Sequence, residues 1–199
     1  MSCLLPISFL GPIKYYAYIV QSKDIIIESQ EHFIKQTLRN RCIISTSNGI
    51  QTLTIPKKRK SSDKTIVSEI RISNTENWKK KHLNSLRSCY NSSPYFQFYV
   101  DDIIEVYSKE EDNLFKFNMN ITHKILKFLE IKRDFKFTSD YKHQFKGTDL
   151  RKSNFTLENQ QLYNQVFIES NGFTYNLSII DLIFNIGPDS REYLENISI

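Results

Sequence analysis

Apolar and polar positions along the 199 residues change period several times, and each period predicts an element. The run at 4–10, LLPISFL, reads as a buried strand, Gly11-Pro12 as a turn, and Ile13–Gln21 as a helix with its aromatic residues on the inner side. IIIES at 25–29 reads as a second strand. Strand, turn, helix and strand in that order make a βαβ unit, whose crossover demands a parallel pair. Three further strands are expected, RNRCIIST at 39–46, IQTLTIP at 50–56 and TIVSEIRIS at 65–73, with SNG at 47–49 turning a hairpin between the first two.

The pattern then lengthens to a helical period. Asn74 or Thr75 can cap a helix over 76–90, Ser93-Pro94 opens one running to about 108, and 111–129 forms a third with Phe115, Met119, Ile125 and Leu129 on its core side. A strand is expected at 134–139, an irregular excursion or lid at 140–161, a last strand at 163–167, and two short helices at 177–186 and 190–197. The expected class is α/β: an N-terminal βαβ unit with a mixed sheet, a helical segment, then a C-terminal strand and two short helices. Length favours one domain over 1–199.

Composition changes this picture little. With 40% hydrophobic and 25% charged residues the chain is globular in type. A net charge of +5 and a pI near 9.0 suit an anionic partner, but Ala17 is the only alanine, and an AT-rich coding bias that inflates lysine is the favoured explanation of the charge. Cys3, Cys42 and Cys89 are odd in number and form no CxxC pair, which argues against a disulfide framework or a zinc site. The N-terminal CLLPISFL lacks a basic leader and contains Pro6, so a cytoplasmic protein with no membrane span is expected. No Walker loop, GxGxxG, GxSxG or HExxH is present, so no cofactor and no metal are called for. The basic runs PKKRK at 56–60 and WKKKH at 78–82 read as solvated surface or as a nucleic-acid patch. Nucleic acid ranks behind a small anionic ligand, because no aromatic residues interleave with the lysines.

Three groups of residues could carry chemistry. Trp78, His82, Leu86 and Tyr90 recur at steps of four, so His82 points inward, either as a core histidine or as a proton carrier. His32 and Lys35 follow the second strand, where α/β proteins gather ligand groups, and with Asn40 and Arg41 they form the first candidate cluster. Arg39 and Arg41 share one side of their strand, and each suits either an anionic ligand or an ion pair with Glu28 or Glu31. Finally, NLSIIDLIFNIGP places Ser178, Asp181 and Asn185 on one stripe of an otherwise apolar helix. Buried polar groups need partners, so the stripe joins helix to loop or belongs to a site.

The ordered set LLPISFLGPIKYYAYI, KQTLRNRC, LTIP, NWKKKHLNSLRSCYNSSPYF, YNQVF and NLSIIDLIFNIGP resembles the WbqC-like family of bacterial proteins in its shorter form. The resemblance runs over nearly the whole chain. It implies a cytoplasmic enzyme, of transferase type, acting on a sugar precursor of O-antigen or another surface polysaccharide. Matched motif positions are Asn40, Arg41, Trp78, His82, Tyr90, Gln165, Asp181 and Asn185. Two departures stand out: Leu4-Leu5-Pro6 where longer relatives carry a His-Gln-Pro-like triplet, and Ser29-Gln30 where they carry acidic residues.

Two expectations follow. In the first, the protein is a group transferase on a nucleotide sugar or sugar phosphate. His82, His32 or Lys35 then handles protons, and Asn40, Arg41, Trp78, Tyr90, Gln165, Asp181 and Asn185 bind substrate. In the second it is a non-catalytic accessory module for nucleic acid or for a protein of an envelope pathway.

Overall fold

The parallel pair foreseen around Gly11-Pro12 is the centre of the structure, a computed structural model that describes residues 2–58 and 64–199. Strand β1 (Ser2–Pro6), helix α1 (Ile13–Gln21) and strand β2 (Asp24–Glu28) form the βαβ unit, with Ser2 opposite Asp24 and Pro6 opposite Glu28. Short strands β5 (Phe135–Phe137) and β6 (Thr148–Asp149) extend the sheet in parallel to the order β5-β2-β1-β6. Strands β3 (Arg41–Thr46) and β4 (Gly49–Thr54) pair only with each other, as an antiparallel hairpin. The α/β class therefore holds, with its two pairing types divided between two sheets. Gly49, at φ 106°, supplies the left-handed conformation the tight turn needs.

Burial follows from side-chain character. Helix α1 buries Ile13, Tyr15, Tyr16, Ala17 and Ile19 and packs against α6 (Ile179–Ile186) and α7 (Ser190–Asn196). Helices α2 (Trp78–Tyr90), α3 (Phe96–Ser108) and α4 (Leu114–Phe128) close the opposite flank, and Asn113 caps α4 by accepting from the Lys116 amide. A single turn, α5 (Ile168–Asn171), precedes α6. Helix α6 is apolar on nearly every side and is buried from Ile179 to Asn185, as its composition requires.

Some expected elements differ. The first ladder stops at Pro6, because the chain then turns through Leu10 in the left-handed region at φ 43°. Residues 65–73 form a 3₁₀ turn (Val67–Glu69) between isolated bridges rather than a strand. Their backbone groups go to separate partners: the Val67 amide to Glu31 O, the Ser68 amide to Ser29 O and the Ile72 amide to Asp112 O. Residues 163–167 join no ladder, since Tyr163 and Gln165 are held through their side chains. The excursion at 140–161 contains β6 and buries Leu150, Arg151, Phe155 and Leu157. Of PKKRK, Arg59 and Lys60 lie outside the described residues.

Candidate functional site

Parallel pairing brings the carboxyl ends of β1, β2, β5 and β6 to one edge. The chain positions β2 on one side of β1 and β6 on the other, the arrangement in which open α/β sheets leave a ligand crevice beyond the strand ends. Two adjoining hollows lie there, with Lys152 on the rim of both.

The first hollow is a cleft of 440 Å³. The loop after β1 contributes Leu10 and Pro12, the β2–β3 connection Gln36 and Thr37, and the loop after β6 Lys152 and Asn154. Arg41, the first residue of β3, reaches into the cleft. Its Nε is buried, and no hydrogen bond or ion pair engages its guanidinium among the described residues. A buried guanidinium nitrogen without an acceptor is costly, and a bound anion is the partner its planar fork fits best. Lys152 adds a second positive charge, likewise without a contact ion pair among the described residues, and the N-terminus of α1 begins at the cleft wall.

The backbone here is strained. Of the five non-glycine residues with positive φ among the described residues, Leu10, Gln36 and Asn176 all line this cleft, and Phe155 follows its lining residue Asn154. Such conformations cost about 1–3 kcal/mol each and persist where surrounding contacts overdetermine them. Ser178 supplies several of those contacts. Its hydroxyl donates to Leu10 O at 2.6 Å and accepts from the Ile180 amide, and its own amide donates to Ile43 O. Asn176 Oδ1 accepts from the Leu157 amide at 2.6 Å.

The second hollow, 390 Å³, is walled by Gln30, Glu31, His32, Tyr141, His143 and Arg151. Its floor is a buried ionic lattice. Arg39 grips Glu31 with two parallel bonds, Nε to Oε1 and Nη2 to Oε2, both 2.7 Å, and also donates to Arg151 O and the Thr37 hydroxyl. Arg151 in turn donates to Glu28 at 3.0 Å and to Asp149 at 2.6 Å, and its guanidinium lies 4.8 Å from the Tyr141 ring centre. Burial raises the Glu31 pKa even against the attraction of Arg39, and Glu28 nearby pushes the same way. The Arg151 hydrogen bonds hold Asp149 below its usual range. Ser29 and Gln30 are not acidic, but Glu28 and Glu31 on either side of them put carboxylates at this strand end.

The sequence-derived candidates fall into three places. Arg41 and His32 belong to the sheet edge, one in each hollow, and Lys35 is exposed on the loop between their lining residues. Asn40 is turned away, its Nδ2 donating to Ile55 O beside the hairpin. His82 and Trp78 sit across the hairpin in an aromatic cluster with Phe9, Tyr107 and Phe117. There the His82 Nε2 proton goes to Thr54 O at 3.2 Å, which leaves Nδ1 to accept from the Tyr107 hydroxyl at 3.3 Å. Burial lowers its pKa to about 4, so the ring is neutral with both nitrogens occupied.

Tyr90, Gln165, Asp181 and Asn185 form the third group. Tyr90 and Tyr163 donate to the two Asp181 oxygens at 2.8 and 2.6 Å, Gln165 Nε2 adds a bond at 3.3 Å, and Asn185 Nδ2 donates to the Asp181 carbonyl. Burial lifts the carboxyl to about 6 in spite of these donors. Ser178 and Asp181 thus join α6 to the loops at 8–11 and 163–165 and to α2, while Asn185 bonds back within α6.

Sequence reasoning missed Arg151, Lys152 and Tyr141. DLRK at 149–152 was the available signal, but a two-residue strand is too short to show a period.

A model of the WbqC-like protein family matches residues 8–152. The chain belongs to this family. The matched stretch begins just after β1 and ends at Lys152, so it holds Arg41, Lys152 and the whole ionic lattice, while Tyr163, Gln165 and Asp181 lie beyond it. The WbqC-like chain is also 24% identical over 214 residues to the protein named Uncharacterized protein Rv1507c of Mycobacterium tuberculosis, covering 90% of this chain and 91% of the relative. No solved structure matches. Among the described residues no helix is long and apolar enough to cross a membrane, and no group of three or more His, Cys, Asp or Glu side chains is placed to hold a metal ion.

Proposed function

We propose that this WbqC-like protein binds a phosphorylated or nucleotide-linked sugar in the cleft of Arg41 and Lys152, and transfers a group to or from it in the synthesis of a surface-polysaccharide precursor. The observation that carries the reading is the Arg41 guanidinium, part-buried in a 440 Å³ cleft at the carboxyl edge of a parallel sheet with no protein partner among the described residues. A structural arginine would be paired, as Arg39 and Arg151 are. Lys152 supports the same anion, and the strained residues around it fit a preorganised site. In this reading His32, exposed in the adjoining hollow, takes the proton-handling role, and His82 holds the hairpin to the aromatic core.

A thermal-shift panel of inorganic phosphate, nucleotides, nucleotide sugars and sugar phosphates tests this. One phosphorylated class should raise the melting temperature in step with its concentration above the dissociation constant. Arg41→Ala should abolish that shift while melting within about 2 °C of the parent, because no side-chain hydrogen bond or ion pair among the described residues is lost. A shift that survives Arg41→Ala, or none across the panel, would sink the assignment and leave the accessory module as the better reading.

A further inference from the structure

Glu31, His32, Gln30, Tyr141, His143 and Arg151 surround a hollow of which the anion reading uses His32 alone. Its character differs from that of its neighbour. The charges on its floor are internally paired, Glu31 with Arg39, and Arg151 with Glu28 and Asp149. Beside Lys152 its mouth carries polar groups that hydrogen-bond: the exposed imidazoles of His32 and His143, the Gln30 amide and the part-exposed Tyr141 ring. A paired floor does not call for a counter-ion. It still offers hydrogen bonds, because a carboxylate has about four acceptor sites and Glu31 spends two on Arg39. Donors and acceptors of both kinds around an aromatic ring suit a ligand whose groups are each donor and acceptor, which is the chemistry of a polyhydroxylated ring.

The two hollows are also continuous along the chain. Gln30, Glu31, His32 and Ile34 line the second and Gln36, Thr37, Leu38 and Arg41 the first, and Arg151 lines the second, Ser153 and Asn154 the first, and Lys152 both. Two stretches of backbone therefore run beside both, and Arg39 ties them together through Glu31 and Arg151 O. Lys152 stands at the junction.

We propose that the second hollow is a sugar-ring subsite and that one sugar phosphate spans both, its phosphate on Arg41 and Lys152 and its hydroxyls among Glu31, Gln30, His32 and His143. This rests on the anion reading of the first cleft and adds to it which part of the ligand lies where.

Titration calorimetry on the full chain separates the two. The probes are inorganic phosphate, the 1-phosphates of glucose, galactose, mannose and N-acetylglucosamine, and the free sugars, each against the parent, Arg41→Ala and the double variant His32→Ala/His143→Ala. Both histidines are exposed, so the double variant is expected to fold, and its melting curve checks this. At least one sugar phosphate should bind tenfold or more tighter than inorganic phosphate. The double variant should remove that gain and leave phosphate binding unchanged, and Arg41→Ala should weaken phosphate and sugar phosphate alike. Phosphate binding that needs Arg41, with no gain from any attached sugar or with a gain indifferent to both histidines, overturns the subsite and spares the anion cleft. No Arg41-dependent binding of any phosphorylated probe overturns both.

Discussion

Two buried titratable residues, far apart in sequence and in different networks, respond to pH with opposite sign. The His82 pKa falls from 6.5 to about 4 on folding through burial, so its contribution is fully present above pH 6.5 and is lost as pH falls towards 4. Asp181 has the opposite sign. Its pKa rises from 3.8 to about 6, the folded state holds the proton more tightly, and its contribution grows as pH falls from 6 towards 4. Each span is worth on the order of 3 kcal/mol at about 1.4 kcal/mol per pH unit, so the two slopes nearly cancel in the parent. Urea unfolding of variants between pH 4 and 7 therefore separates the two residues. Asp181→Asn should lose stability on acidification and His82→Gln should gain it; parallel slopes in the two variants would contradict the opposed-burial account. His82 also shows how far a sequence can be read at this scale. The four-residue spacing correctly turned it inward, but whether its nitrogens were free depended on Thr54 and Tyr107, which only the folded chain brings to it.

At the scale of elements, the loops at the carboxyl edge are held by buried ion pairs, and one glycine matters for the closing helices. Arg39 is 2% exposed, and removing it leaves Glu31 without its cation. Arg39→Met should cost about 3–5 kcal/mol in chemical denaturation, and Arg39→Met with Glu31→Gln should cost clearly less than the sum of the single changes. Additive losses would mean that the pair is not coupled. Between α6 and α7, Gly187 has φ 53°, and a Cβ there would overlap the Tyr95 ring, whose amide is bonded to Phe184 O at 3.0 Å. Gly187→Ala should destabilise by about 1–3 kcal/mol, read as a lower urea midpoint at unchanged slope. Long elements such as α1 and α2, whose periods extend over two turns or more, were legible in the sequence. Residues 65–73 were not: their alternation suits a strand, but their amides are taken by 29–31 and 112, so no ladder forms.

For the molecule as a whole, the sequence determined the class of fold and the family, because both rest on local periods and on ordered motifs. The βαβ start, the hairpin at 47–49, the three long helices and the apolar final segment could each be read from neighbours within a dozen residues. It also supplied Arg41 and His32 as candidates, since residues just beyond strand ends are where such folds bind ligands. Tertiary structure decided which of the arginines is unpaired. Arg39 lies in the turn before β3 and Arg41 opens that strand two residues later, yet one meets Glu31 and the other an open cleft. It also brought in the far wall, Tyr141, Arg151 and Lys152, from a polar stretch whose two-residue strand has no period to detect. That strand exists because β1 offers it an edge, and the crevice lies where four short parallel strands end together.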